Sequence, residues 1–135
     1  MACSATPEGV QSLLAVAQRD LENSQADGLG SDWRLNIAYN AALQTAAAAL
    51  EAAGYRAARE SHHYRVIESL RLTIGAGDDV VLPLDRVRQK RNVGIYERAG
   101  QVSDTEAKAA YDLAERLKSD VEAWLRENHP DLTPQ

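Results

Sequence analysis

The chain has 135 residues, of which 44% are hydrophobic and 26% charged, with a formal net charge of −5. That is enough for one ordinary domain with its own core, and too apolar for an acidic disordered tail. Alanine is abundant, Phe is absent, and only four Pro and eight Gly interrupt the sequence, which favours helices because Ala has no side-chain rotamers to lose. No apolar run reaches the ~20 residues needed to span a bilayer. The start, Met1-Ala2-Cys3-Ser4-Ala5, lacks the basic and apolar segments of a secretory signal, so the expected location is the cytoplasm. The single Cys3 cannot form an internal disulfide and reads as an incidental thiol.

Thr6-Pro7-Glu8 has the order of a helix start: a capping hydroxyl, Pro in the first turn, then an acid at the positive end of the dipole. Val10, Leu13, Leu14, Ala17 and Leu21 follow at helical spacing, predicting a first helix to about Ala26. Asp27-Gly28-Leu29-Gly30 ends it, and Ser31 is the expected cap of a second helix, from about Asp32 to Ala53. Trp33, Ile37, Leu43, Ala47 and Leu50 mark one stripe of that helix. Ala42, Ala46, Ala49 and Ala53 make a second, shallow one that lets a neighbour approach closely, so the second helix is expected at the centre of the bundle. Gly54 closes it.

A third helix is predicted from about His62 to Ile74, with Ile67, Leu70 and Ile74 inward. Gly75-Ala76-Gly77-Asp78-Asp79 reads as a break, and Leu84 as the start of a fourth helix running to about Ala99. Ser103 and Glu106 form a capping box for a fifth helix carrying Ala107, Ala110, Ala114, Leu117, Val121 and Trp124, which ends before Pro130. The expectation is an all-α, up-and-down bundle of about five helices: a single domain over 1–135, with its core at about 6–127 between short flexible termini.

The fourth helix carries the unusual residues. Between Leu84 and Arg98, Arg86, Arg88, Lys90, Arg91 and Arg98 are opposed only by Asp85 and Glu97. Such a local excess matters more for polyanion binding than the net charge, although a solvated helix face is the commoner source of such a cluster. At 100° per residue, Leu84, Val87 and Ile95 share a side with Arg91 among them. Arginine at such a register needs a partner, a groove or a subunit interface. Arg88, Asn92 and Tyr96 stack four apart along an adjoining polar face. Gly94, in mid-helix, costs ~1 kcal/mol relative to Ala and suggests a close approach by another backbone or a ligand.

At these residues the chain resembles the HEPN domains of prokaryotic defence and toxin–antitoxin systems. Ribonuclease members of that family carry Arg, usually followed by a polar residue such as Asn, and a His several residues on. The pair lies on a late helix and forms a composite site across a homodimer. Arg91-Asn92-Val93-Gly94-Ile95-Tyr96 matches the Arg-Asn start and the spacing, with Tyr96 where His would stand. The resemblance extends over the helix pattern from about Ser31 to Leu125. It implies a metal-independent site of Arg91, Asn92 and Tyr96 that needs no cofactor, a homodimer, and RNA or a nucleotidyltransferase-type antitoxin as partner.

In the family's cleavage reaction the ribose 2′-OH attacks the adjacent phosphate. His moves that proton near neutral pH while Arg stabilises phosphate charge. Tyrosine, with an ordinary pKa of ~10, is a poor base there, but it can donate a hydrogen bond to phosphate or stack on a base. Arg88 and Lys90 are expected to steer phosphate. His62 and His63, at the start of the third helix, could reach the fourth and join the RNA-binding surface, although adjacent helical residues face different ways and make a weak metal pair. Asp78-Asp79 reads as a solvated turn rather than a metal site, and His129 as a solvent-facing tail residue. Two readings stand: a HEPN-like RNA binder or weakened ribonuclease, and a catalytically inert helical module that dimerises or holds a protein partner.

Overall fold

The computed structural model describes residues 4–56, 62–96 and 102–133, with residues 62 and 91–96 described by helical backbone alone. Among them are five packed α-helices and no β-strand: α1 (Pro7–Asn23), α2 (Ser31–Ala52), α3 (His62–Thr73), α4 (Asp78–Tyr96) and α5 (Asp104–Asn128), followed by a 3₁₀ turn, Pro130–Leu132. None of the helices is long and apolar enough to cross a membrane.

The packing centre is α2, which meets each of the other four helices. Leu35, Ala38, Tyr39, Ala41, Ala42, Ala46, Ala48, Ala49 and Ala52 are all buried, so the helix is covered around most of its circumference. Only small side chains let neighbours close in from several sides at once. Of the predicted alanine stripe, Ala42, Ala46 and Ala49 are buried while Ala53 is exposed just past the end of α2, and Ala41 and Ala48 are covered as well.

Caps set the helix boundaries. The Thr6 hydroxyl accepts the Gly9 amide at 3.0 Å, and Ser103 with Glu106 completes a reciprocal capping box. Gly54, at φ +95°, closes the end of α2 in a left-handed conformation that a Cβ would oppose. Ser31 is not the cap of α2, however. Gly30 takes that position, and the Ser31 hydroxyl donates instead to the Asp104 carboxylate, tying the start of α2 to the start of α5. In α1 the helix stops at Asn23 rather than Ala26, where the buried Ser24 turns its hydroxyl back onto the Leu21 carbonyl at 2.7 Å.

Four further expectations are corrected. α4 begins at Asp78, not Leu84, with Pro83 inside it. Pro83 is the sixth residue of the helix and leaves the Asp79 carbonyl without its helical amide, a loss offset by Val80, Val81 and Leu84, which together bury one helical face. Trp33 is 63% exposed in the first turn of α2. His129 is half-buried, its ring 4.9 Å from that of Trp124. Packing also continues past residue 127: Leu132 is buried and its carbonyl accepts the Gln11 side chain at 2.9 Å.

The helices do not simply alternate in sense. Gly9 lies against Glu51 and Asp20 against Asn40, so α1 and α2 are antiparallel. Tyr64 meets Arg88 and Arg71 meets Asp78, so α3 and α4 are antiparallel. Arg116 meets Asp79 and Lys90 meets Glu106, which makes α4 and α5 antiparallel as well. Because α5 starts beside the start of α2, α2 and α3 run in the same sense. The up-and-down expectation fails at the α2–α3 connection alone.

If α2 is held by close approach, Ala46→Leu should destabilise the fold by ~1–3 kcal/mol through overpacking. Ala15→Leu, on the exposed face of α1, should change it by less than ~0.5 kcal/mol. Urea denaturation of the two variants measures the difference, and equal effects would contradict the packing account.

Candidate nucleic-acid interface

The first turn of α3 and the middle of α4 come together at one side of α2. His63 and Tyr64 are consecutive on α3 and point in different directions, as the ~100° between neighbours requires. His63 turns toward α2, where its Nδ1 lies 3.3 Å from the Tyr39 hydroxyl and the rings are 5.9 Å apart. Tyr39 is 1% exposed, and a hydroxyl so deeply buried needs a polar partner. The contact fixes the imidazole while leaving it half-buried.

Tyr64 turns toward α4. Its ring lies under the Arg88 guanidinium, 5.6 Å from Cζ to centroid, within cation–π range. Arg88 is held there by Asp85, one turn earlier, to which its Nε donates at 2.7 Å. That hydrogen bond, against partial burial, holds the guanidinium proton more firmly than usual. The Asp85 carboxylate also accepts Gln89 at 3.0 Å.

Lys90 points to the other side of α4 and pairs with Glu106 of α5 at 3.4 Å. Between those helices runs a groove of about 400 Å³, floored by Leu35, Pro83, Val87 and Leu113, with Arg86 and Lys90 on its rim. The basic cluster is thus partly neutralised and divided between two faces. Arg88 joins the α3 side, Lys90 the α5 side, and Arg86 is exposed with no acceptor among the described residues.

Arg91, Asn92 and Tyr96 occupy the last turns of α4, and His62 is the first residue of α3. The side chains of all four lie outside the described residues, as do Glu97 and Arg98. The backbone sets their level: Arg88 stands opposite Tyr64, and α4 continues for about two turns beyond that point. Asp78 and Asp79, read from sequence as a turn, lie in the first turn of α4 and pair with Arg71 at 2.7 Å and Arg116 at 3.0 Å. Among the described residues no cluster of three metal-ligating side chains occurs. Tyr39 was missed from sequence as part of this region. The signal was an aromatic with a polar tip at a core register, between Leu35 and Ala42.

No protein-family model matches the chain, and no curated protein matches its sequence.

Glu106 gives this region a pH signature. The Ser103 backbone amide, opposed by partial burial and aided by Lys90, holds its carboxyl below the ordinary value of 4.5. A depressed carboxylate stabilises the fold fully above its unfolded value, and the contribution is lost as pH falls through the lower folded value. Glu106→Gln keeps a capping side chain but loses the charge. The stability gap between wild type and Glu106→Gln should therefore be largest above the ordinary carboxylate range and shrink as pH falls below it. Thermal melts across that range test it, and a gap independent of pH would rule out the charge.

Proposed function

We propose that this chain is a HEPN-like protein that engages RNA on the α3–α4 side, as a weakened metal-independent ribonuclease or an inert RNA binder of a toxin–antitoxin or defence system. The observation that carries the reading is the fixed Arg88–Tyr64 pair, one turn before Arg91-Asn92 on the same helix. It joins a cation and an aromatic ring at the level where the resemblance assigns phosphate contacts. Arg91 supplies charge to the phosphate, Asn92 a hydrogen bond, and Tyr96 occupies the position of the family histidine. Arg88, His62 and His63 belong to the wider RNA-binding surface on this side, whereas Lys90, expected there from sequence, faces α5 and pairs with Glu106; the chain acts as a cytoplasmic homodimer.

The reaction is internal transesterification. The 2′-oxygen forms a bond to phosphorus as the 5′-oxygen leaves, giving a 2′,3′-cyclic phosphate and a free 5′-hydroxyl. The 2′-OH proton must go to a base, and the departing 5′-oxygen must receive one. A phenol of pKa ~10 is seldom ionised at pH 7, so Tyr96 makes the first transfer slow while leaving phosphate binding intact.

A second reading has its own support. The groove between α4 and α5 presents apolar surface beside Arg86 and Lys90, suited to a protein surface such as a second copy or a nucleotidyltransferase-type antitoxin. In that case the chain performs no chemistry.

Cleavage assays without metal separate the two. Wild type should cut RNA slowly or undetectably near neutral pH, Tyr96→His should restore measurable cleavage, and Arg91→Ala combined with Tyr96→His should be inactive. An inert module cleaves in none of the three proteins. Rapid cleavage by wild type would overturn the assignment of Tyr96 as the weak point.

A further inference from the structure

We infer that Tyr64, backed by Arg88, is a base-stacking subsite that selects single-stranded over duplex RNA; this rests on the RNA-engaging reading above and names its substrate class. Tyr64 is 51% exposed, although Val66 and Ile67 just after it on α3 are buried. An aromatic ring left half in water, with a guanidinium across it at 5.6 Å, keeps apolar surface open for a flat partner. The ring belongs to a fixed framework. Asp85 locks the guanidinium at 2.7 Å, and the neighbouring His63 anchors the first turn of α3 to buried Tyr39 at 3.3 Å. Little side-chain freedom remains to be lost when a base arrives, which favours binding.

The charges suit a nucleotide rather than an apolar ligand. Arg88 uses only its Nε on Asp85, and no acceptor among the described residues meets its Nη groups. Arg65, next to Tyr64, is exposed and likewise has no acceptor among the described residues. A base on the Tyr64 ring would place its flanking phosphates within the field of these two cations. Every base has a π-face, so such a platform tolerates any sequence. It cannot act on a duplex, whose bases are already stacked on one another and whose deep groove side chains do not read.

The test is binding of a fluorescein-labelled, mixed-sequence oligoribonucleotide, single-stranded or annealed to its complement, to the full chain in metal-free buffer. Wild type should hold the single strand at least about tenfold more tightly than the duplex. Tyr64→Leu should lose about tenfold on the single strand and nothing on the duplex, while Tyr64→Phe stays within about twofold of wild type. Because Leu keeps the apolar bulk and Phe the ring, the comparison separates stacking from packing, and thermal melts check that both variants fold. Equal affinity for the two RNA forms, or a Tyr64→Leu protein that binds like wild type, would overturn the subsite while leaving RNA engagement standing. Failure of wild type to bind either RNA would overturn the subsite and the RNA-engaging reading together.

Discussion

Everything in this fold depends on how closely four helices can approach α2. A helix packed on several sides has little room for large side chains, and α2 meets the demand mostly with alanine, at Ala38, Ala41, Ala42, Ala46, Ala48, Ala49 and Ala52, beside the buried Leu35, Tyr39 and Leu43. The larger core side chains come mainly from its neighbours: Val10 and Leu14 from α1, Ile67 and Leu70 from α3, Leu84 from α4, Leu117 and Val121 from α5. Each neighbour therefore brings one amphipathic stripe and keeps its other faces for ions and solvent. The three faces that matter at the candidate site, those of Tyr39, Tyr64 and Arg88, are consequences of this division.

The α3–α4 pair is fixed at both ends by interactions of different kinds. Near the end of α3, Arg71 bonds Asp78 at 2.7 Å and Glu68 at 3.3 Å, ion pairs accessible to water and weak individually. At the other end, the Tyr39–His63 contact and the Arg88–Tyr64 pair join three helices across a partly dry surface. The same Arg88 is bonded along its own helix to Asp85, so it has one carboxylate partner and one aromatic partner. That arrangement explains why Arg88 does not simply extend into solvent.

Much of the fold was legible because it depends on short-range chemistry. Thr6, Ser103 with Glu106, and Gly54 mark boundaries through their own hydrogen bonds or backbone angles, and the inward stripe of α5 follows from its 3.6-residue period. Pro83 misled because its missing amide matters less than the burial of Val80, Val81 and Leu84 around it. Trp33, grouped with the apolar stripe of α2, stands exposed in its first turn. For the site, the register of α4 groups Arg88 with Asn92 and Tyr96, whose side chains lie outside the described residues. The contact of Arg88 with Tyr64, the Tyr39–His63 bond and the shared sense of α2 and α3 depend on residues far apart in sequence, which local periodicity does not encode.

The parallel placement of α2 and α3 divides the chain into two halves that each close locally, α1 on α2 and α3 on α4 on α5. The Ser31–Asp104 bond, 73 positions apart in sequence, lies where the halves meet. Loop-closure entropy for such a separation must be overcome before the apolar contacts of Leu35 and Ala38 with Val102, Ala107 and Ala110 can compensate for it. Docking α2 against α5 is thus the long-range closure that joins the α1–α2 hairpin to the three-helix α3–α5 unit in one cooperative fold.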